Sequence, residues 1–178
     1  YSLGSGPTAA SPYGIYRPAL VSAELVPQYV HLLDGATTLI EPSEQQETIL
    51  NFKSEEPLSK PAGPSSRVAI GTIYGTRSGD KGGDANLGIY ARSDISWAWL
   101  DHALTIDKLK ELLPETSELT IERFRYPKIR SLNFLIRGLL QEGVAASTRQ
   151  DPQAKALGEW LRSRYMEIPV SVIKEAKG

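Results

Sequence analysis

The chain is divided by residues 43–66, which read SEQQETILNFKSEEPLSKPAGPSS. This stretch is polar, holds three prolines and shows no sustained period. A segment of that kind buries too little apolar surface to fold on itself, so it reads as a linker or a loosely attached loop. It limits what the 178 residues can become. Residues 67–178 are enough for one ordinary core, whereas residues 1–42 are too few to hold one alone. Charge changes at the same boundary. Residues 1–66 carry three basic and seven acidic side chains, and residues 67–178 carry seventeen and fourteen.

The net charge of −1 argues against a general nucleic-acid binder. No apolar run approaches the roughly 18 residues of a membrane span. With no cysteine, a disulfide scaffold, a zinc ribbon and a thiol enzyme are excluded, and a reducing cytoplasm is the expected compartment. The first residue is Tyr1, and the chain reads as a processed or truncated product.

In the N-terminal part, the apolar runs 28–33 (QYVHLL) and 36–41 (ATTLIE) flank Asp34-Gly35. Asp-Gly in that setting predicts a β-hairpin closed by a type I′ turn. A lone hairpin is marginal in water, so it needs another surface to pack on. His31 lies in its first strand and reads as structural.

In the C-terminal part, 67–74 (RVAIGTIY) and 87–91 (LGIYA) read as strands around a Gly-rich loop. Ser93 is a cap for a helix over 95–102, and Thr105 caps a second helix that Pro114 stops. The imperfect alternation of 119–126 (LTIERFRY) predicts a strand. Residues 132–140 (LNFLIRGLL) fit strand or helix, with Asn133 as a cap and Gly143 as an exit leaning towards helix. Asp151-Pro152 opens a helix whose buried face is Leu157, Trp160 and Leu161. Residues 167–173 (EIPVSVI) read as a last, edge strand because of Pro169. The order is that of an α+β fold.

The strongest signal is 76–88, TRSGDKGGDANLG. Thirteen residues exceed what a hairpin needs, and long Gly-rich loops with clustered charge are usually functional. Glycines at 79, 82 and 83 let backbone N–H groups turn towards an anion, with Arg77 and Lys81 adding charge and Ser78 and Asn86 adding polar contacts. Asp80 and Asp84 could neutralise those cations, move a proton or hold a divalent ion. The spacing is neither that of a Walker A loop nor GxGxxG. A structural Ω-loop, its aspartates closing turns, is the alternative.

RSGDKGGDANLGIYAR, FRYPKIRSLNFLIRGLL and DPQAKALGEWL together resemble the acyclic terpene utilisation protein A (AtuA) family. The resemblance covers residues 67–173 and implies the small ferredoxin-fold domain that closes fused members. SPYGIYRPALV and the hairpin resemble the end of the large upstream domain, so residues 1–42 would be its connection. The family is associated with breakdown of acyclic terpenes through acyl-CoA intermediates. It supplies no agreed catalytic residues.

Arg123, Arg125, Lys128, Arg130 and Arg137 lie within 123–137 without intervening acids. Arginine forks bind phosphate bidentately, which makes Arg125 and Arg130 candidates for a CoA-type ligand, against the alternative of a solvated strand face. Trp97, Trp99 and Trp160 read as core or interface, and His102 as a helix C-terminal residue.

The reading is therefore a ferredoxin-like α+β sandwich, its mostly antiparallel sheet carrying helices on one face, preceded by the hairpin extension. As part of an enzyme on a terpenoid or acyl-CoA-type substrate, it would use Lys81, Asp80 and Asp84 in catalysis. Arg77, Ser78, Gly79, Gly82, Gly83, Asn86, Arg125 and Arg130 would bind substrate. No metal or cofactor is expected. The alternative is a non-catalytic docking or oligomerisation domain. Expected partners are the upstream AtuA-type domain and a second copy, without nucleic acid or membrane.

Overall fold

The computed structural model describes residues 10, 12–15, 17–42 and 55–177. The chain forms two units, Arg17–Ser54, and Glu55–Gly178 with Tyr1–Tyr16. In the smaller unit, β1 (Gln28–His31) pairs antiparallel with β2 (Thr37–Ile40). The turn is not the expected type I′. Leu32 N donates to Ala36 O and Gly35 N to Leu32 O, closing a three-residue loop in which Gly35 alone has positive φ, +87°. Asp34 Oδ1 accepts the Ala36 N–H at 2.9 Å, which holds Asp34 at negative φ. Every strand residue of this hairpin is exposed.

The larger unit is a ferredoxin-like α+β fold. Its main sheet has the order β4-β5-β7-β6, all antiparallel, from β4 (Gly75–Lys81), β5 (Asp84–Tyr90), β6 (Ile121–Tyr126) and β7 (Ser131–Ile136). A second pair joins β3 (Ser65–Ala69) to β8 (Tyr165–Pro169). The helices are α1 (Asp94–Ala103), α2 (Ile106–Leu112), α3 (Leu157–Ser163) and α4 (Val170–Lys177). Ser93 and Thr105 cap α1 and α2 as expected, their hydroxyls accepting from Ser96 N and Lys108 N.

Residues 132–140 are not helix: strand runs to Ile136 and a turn follows over 137–140. Asn133 points away from Leu132 and Phe134, and Gly138 at φ +72° breaks the run. Residues 167–173 split at Pro169, where β8 ends and α4 begins; proline suits a helix entrance as well as a strand edge. Asp151 accepts from Lys155 N and Ala156 N, and α3 starts only at Leu157, since Ala154 takes φ +51°.

Alternation places Ala85, Leu87 and Ile89 of β5 opposite Ile136, Phe134 and Leu132 of β7, all at 1% exposure or less. This face is covered. Trp97, Trp99, Leu100, Leu157 and Leu161 from α1 and α3 share its core with Ile168 and Val172. Arg123 and Arg125 of β6 project to the same face by register. Both reach Asp101 of α1, whose side chain is 4% exposed. Arg125 binds it in fork geometry, Nε to Oδ1 at 2.8 Å and Nη2 to Oδ2 at 2.6 Å. Arg123 Nη2 donates to Oδ1 at 2.9 Å and Nε to Leu104 O at 3.0 Å. The fork also extends outward, since Arg125 Nη1 donates to Glu55 O at 3.0 Å. His102 Nε2 lies 2.8 Å from Leu58 O, so residues 55 and 58 are held against α1 and β6.

Burial alone would raise the Asp101 carboxyl, but hydrogen bonds from Arg125 and Arg123 outweigh it and hold the group below the usual carboxylate range. A depressed native pKa stabilises above the unfolded value and is lost as pH falls through the native one. Asp101→Asn is expected to destabilise by about 3 kcal/mol at pH 7. Urea melts should show the gap between wild type and variant closing below about pH 4; a gap that stays constant contradicts this role.

Candidate functional site

Residues 76–88 are not a loop. They are the greater part of β4 and β5, joined by a two-residue turn at Gly82-Gly83. Glycines and charges weaken strand propensity, yet pairing with β7 and a docked turn override it. Gly82 has φ +67° and Gly83 does not, the pattern of a type II′ turn. Gly83 is required for a different reason: a Cβ there would lie 2.2 Å from Gln141 O. Leu140 N donates to Gly83 O at 2.9 Å.

Strand geometry separates the proposed catalytic trio. Register puts Thr76, Ser78 and Asp80 on the covered side of β4, and Arg77, Gly79 and Lys81 on the open side. Asp80 and Lys81 therefore project to opposite faces and do not converge. Asp84, opposite Lys81, acts as a clamp: Oδ1 accepts Gly138 N and Oδ2 accepts Arg137 Nη1, both at 2.8 Å. Arg137 also donates to Glu122, and its hydrogen bonds to Asp84 and then to Glu122 raise its pKa. Ser78 bridges β4 to α3, accepting from Gly158 N at 2.9 Å and donating to Lys155 O at 3.2 Å.

Of the arginines in 123–137, Arg125 is engaged by Asp101 inside the fold, and Arg130, at φ 50°, pairs with Asp94 of α1. Neither lies with the β4 cations. Trp97 and Trp99 are core residues, whereas Trp160 is 48% exposed beneath the Arg164 guanidinium. His31 is exposed and bonds Thr37 Oγ1.

The open face can be read row by row from the register. Gly75, Tyr90, Ser131 and Tyr126 form one row; Arg77, Gly88, Asn133 and Phe124 the next; Gly79, Asn86, Leu135 and Glu122 the third. Lys81 and Asp84 end it. Tyr90, Phe124 and Tyr126 are 42%, 40% and 47% exposed. Arg77 and Lys81 are exposed and make no ion pair among the described residues. Sequence reasoning found Arg77, Gly79, Lys81 and Asn86 but missed Gly88, Asn133 and Phe124. Reading LNFLI as a strand would have put Asn133 on this face. Near Arg77 at the sheet edge lies a cavity of about 270 Å³, also lined by Thr76, Ser78, Lys155, Gly158 and Glu159. Among the described residues, no cluster of three or more His, Asp and Glu side chains could hold a metal ion, and no helix is long and apolar enough to cross a membrane.

Comparison with known proteins matches residues 68–167 to the AtuA ferredoxin-like domain. The chain belongs to that family. The match begins inside β3 and ends inside β8 of the AtuA-like domain, so it takes in the whole main sheet and its helices α1 to α3. No curated protein and no solved structure matches the chain.

The β4-β5 turn of the AtuA-like domain is docked through Gly83 and Asp84 on the segment after β7, and substitutions there should show it. Gly83→Ala and Asp84→Ala are each expected to cost about 1–3 kcal/mol by overpacking and by orphaning Gly138 N and Arg137. Lys81→Ala should stay within about 0.5 kcal/mol of wild type. Thermal melts check this, and an Asp84→Ala protein as stable as wild type would contradict the clamp.

Proposed function

We propose that this AtuA-like domain is the substrate-holding part of a larger enzyme that acts on small organic anions. The carrying observation is that Arg77 and Lys81 are exposed, lack ion-pair partners among the described residues and project from one strand to the same open face. Cations so placed can hold a carboxylate, a phosphate or the oxyanion of an acyl group. Terpenoid acids and acyl-CoA-type thioesters, the substrate classes implied by the family resemblance, carry such groups. The acid–base step falls to another domain, because Asp84 is committed to Arg137 and Gly138, and Asp80 faces away from Lys81.

A second reading, docking or oligomerisation, draws on a separate observation. The hairpin exposes Tyr29, Val30, Leu39 and Ile40, and a two-stranded ribbon of that kind is not stable alone. In this reading the partner is the upstream AtuA-type domain or a second copy of the chain.

Titration with inorganic pyrophosphate, followed by backbone amide NMR, separates the two. The substrate-holding reading expects saturable shifts centred on Arg77, Gly79 and Lys81. It also expects at least tenfold weaker binding in Arg77→Ala/Lys81→Ala with melting temperature unchanged. Shifts absent from β4, or equal binding by the double variant, would favour the docking reading.

A further inference from the structure

Glycine inside a strand is costly, and each one in this fold invites a reason. Gly75 has one: a Cβ there would lie 2.1 Å from the Tyr90 ring, which covers it. Gly71 is closed against Arg162, and in α3 Gly158 is closed against Thr76. Gly79 and Gly88 differ. Neither has positive φ. A Cβ at Gly79 would meet only Asn86 Oδ1 at 4.0 Å, and one at Gly88 nothing closer than Arg77 O at 3.5 Å. Both sites have room for a side chain, so the fold itself does not demand glycine at either. Both lie on the open face, in adjacent rows and on adjacent strands. Bare backbone that the chain does not need is bare for something that approaches from outside.

What lies beside the bare patch identifies the approaching group. Asn86 Nδ2 donates to Asn133 Oδ1 at 3.4 Å. That bond leaves Asn86 Oδ1 as an acceptor and Asn133 Nδ2 as a donor, side by side. Such a pair matches the edge of a planar group that presents a donor next to an acceptor, as adenine does through N6 and N7. Phe124 is paired with Asn133 and is 40% exposed, forming an apolar wall. Arg77 stands on the other side of Gly88, with Lys81 two open-face rows along the same strand. The row Arg77, Gly88, Asn133, Phe124 spans roughly 14 Å at about 4.8 Å per strand. A base on Gly88 would thus have its edge at the asparagines and its phosphate within reach of Arg77.

We infer that the Gly79/Gly88 patch, with Asn86, Asn133, Phe124 and Arg77, is a binding site for a mononucleotide moiety, either free or as part of a larger substrate. This rests on the substrate-holding reading and names the class of ligand. The purine edge and a carboxamide edge present the same donor–acceptor pair, so the probes are 5′-AMP and nicotinamide mononucleotide, with adenosine and ribose 5-phosphate as partial ligands. The full chain is titrated by NMR, and thermal melts are run on each variant. The inference expects one mononucleotide to shift the side-chain amides of Asn86 and Asn133, and each partial ligand to bind at least tenfold more weakly. Gly88→Val and Gly79→Val should lose binding at least tenfold while the melting temperature holds or rises, because valine favours a strand and the added Cβ meets its neighbours at no less than ordinary van der Waals distance. Asn133→Leu provides a variant that leaves both glycines in place, and it should lose discrimination between 5′-AMP and ribose 5-phosphate. Ribose 5-phosphate binding as tightly as the mononucleotides would overturn base recognition and leave the anion site standing. Absence of mononucleotide binding, or a fall in melting temperature in both valine variants, would overturn the inference, and the pyrophosphate titration would still report separately on the anion site.

Discussion

Among the described residues of its own unit, the main sheet packs its apolar core against one side, and the rest of the AtuA-like domain follows from that. β5 and β7 each place three apolar residues on a single face, and residues of α1 and α3 share the core there with Leu109, Ile168 and Val172. Alternation then fixes the other face without further choice, because a strand cannot hide one set of side chains without presenting the next. Asn86, Gly88, Tyr90, Asn133 and Phe124 are on the outside because Leu87, Ile89 and Phe134 are on the inside.

Charge follows the same division. Arg123 and Arg125 project into the covered side, where two guanidiniums share one nearly buried carboxylate. Partnering of this kind makes burial tolerable and fixes α1 against β6. On the open side Arg77 and Lys81 have no such partner among the described residues. Side chains of the same chemistry therefore have different surroundings, decided by which face their strand position selects. The Gly82-Gly83 turn completes the arrangement by holding β4 in register with β5, with Asp84 fastening it to the segment after β7.

The α+β class, the hairpin at Asp34-Gly35, both helix caps and the extent of the family match were legible in the sequence, because each rests on local pattern or on a long motif. Residues 76–88 were harder. Four glycines and four charged residues gave a loop composition, while the information that makes them strands lies fifty residues away in β7. LNFLI was ambiguous for the related reason that five residues, four of them apolar, are too few to establish a period, and only the partner strands decide it. The Asp101 pairing was hidden entirely, since the aspartate and its arginines are separated by 22 and 24 positions. Asn133 and Gly88 were unreadable as a pair for the same reason.

The proposed substrate site lies on the open face of the main sheet. Intermolecular nuclear Overhauser contacts between a bound mononucleotide and the domain would test it most directly. The account predicts contacts from base protons to the Gly88 Hα atoms and the Asn133 side-chain amide, and from ribose protons towards Arg77. Contacts confined to the helical side of the sheet, or to the Arg17–Ser54 unit, would contradict it.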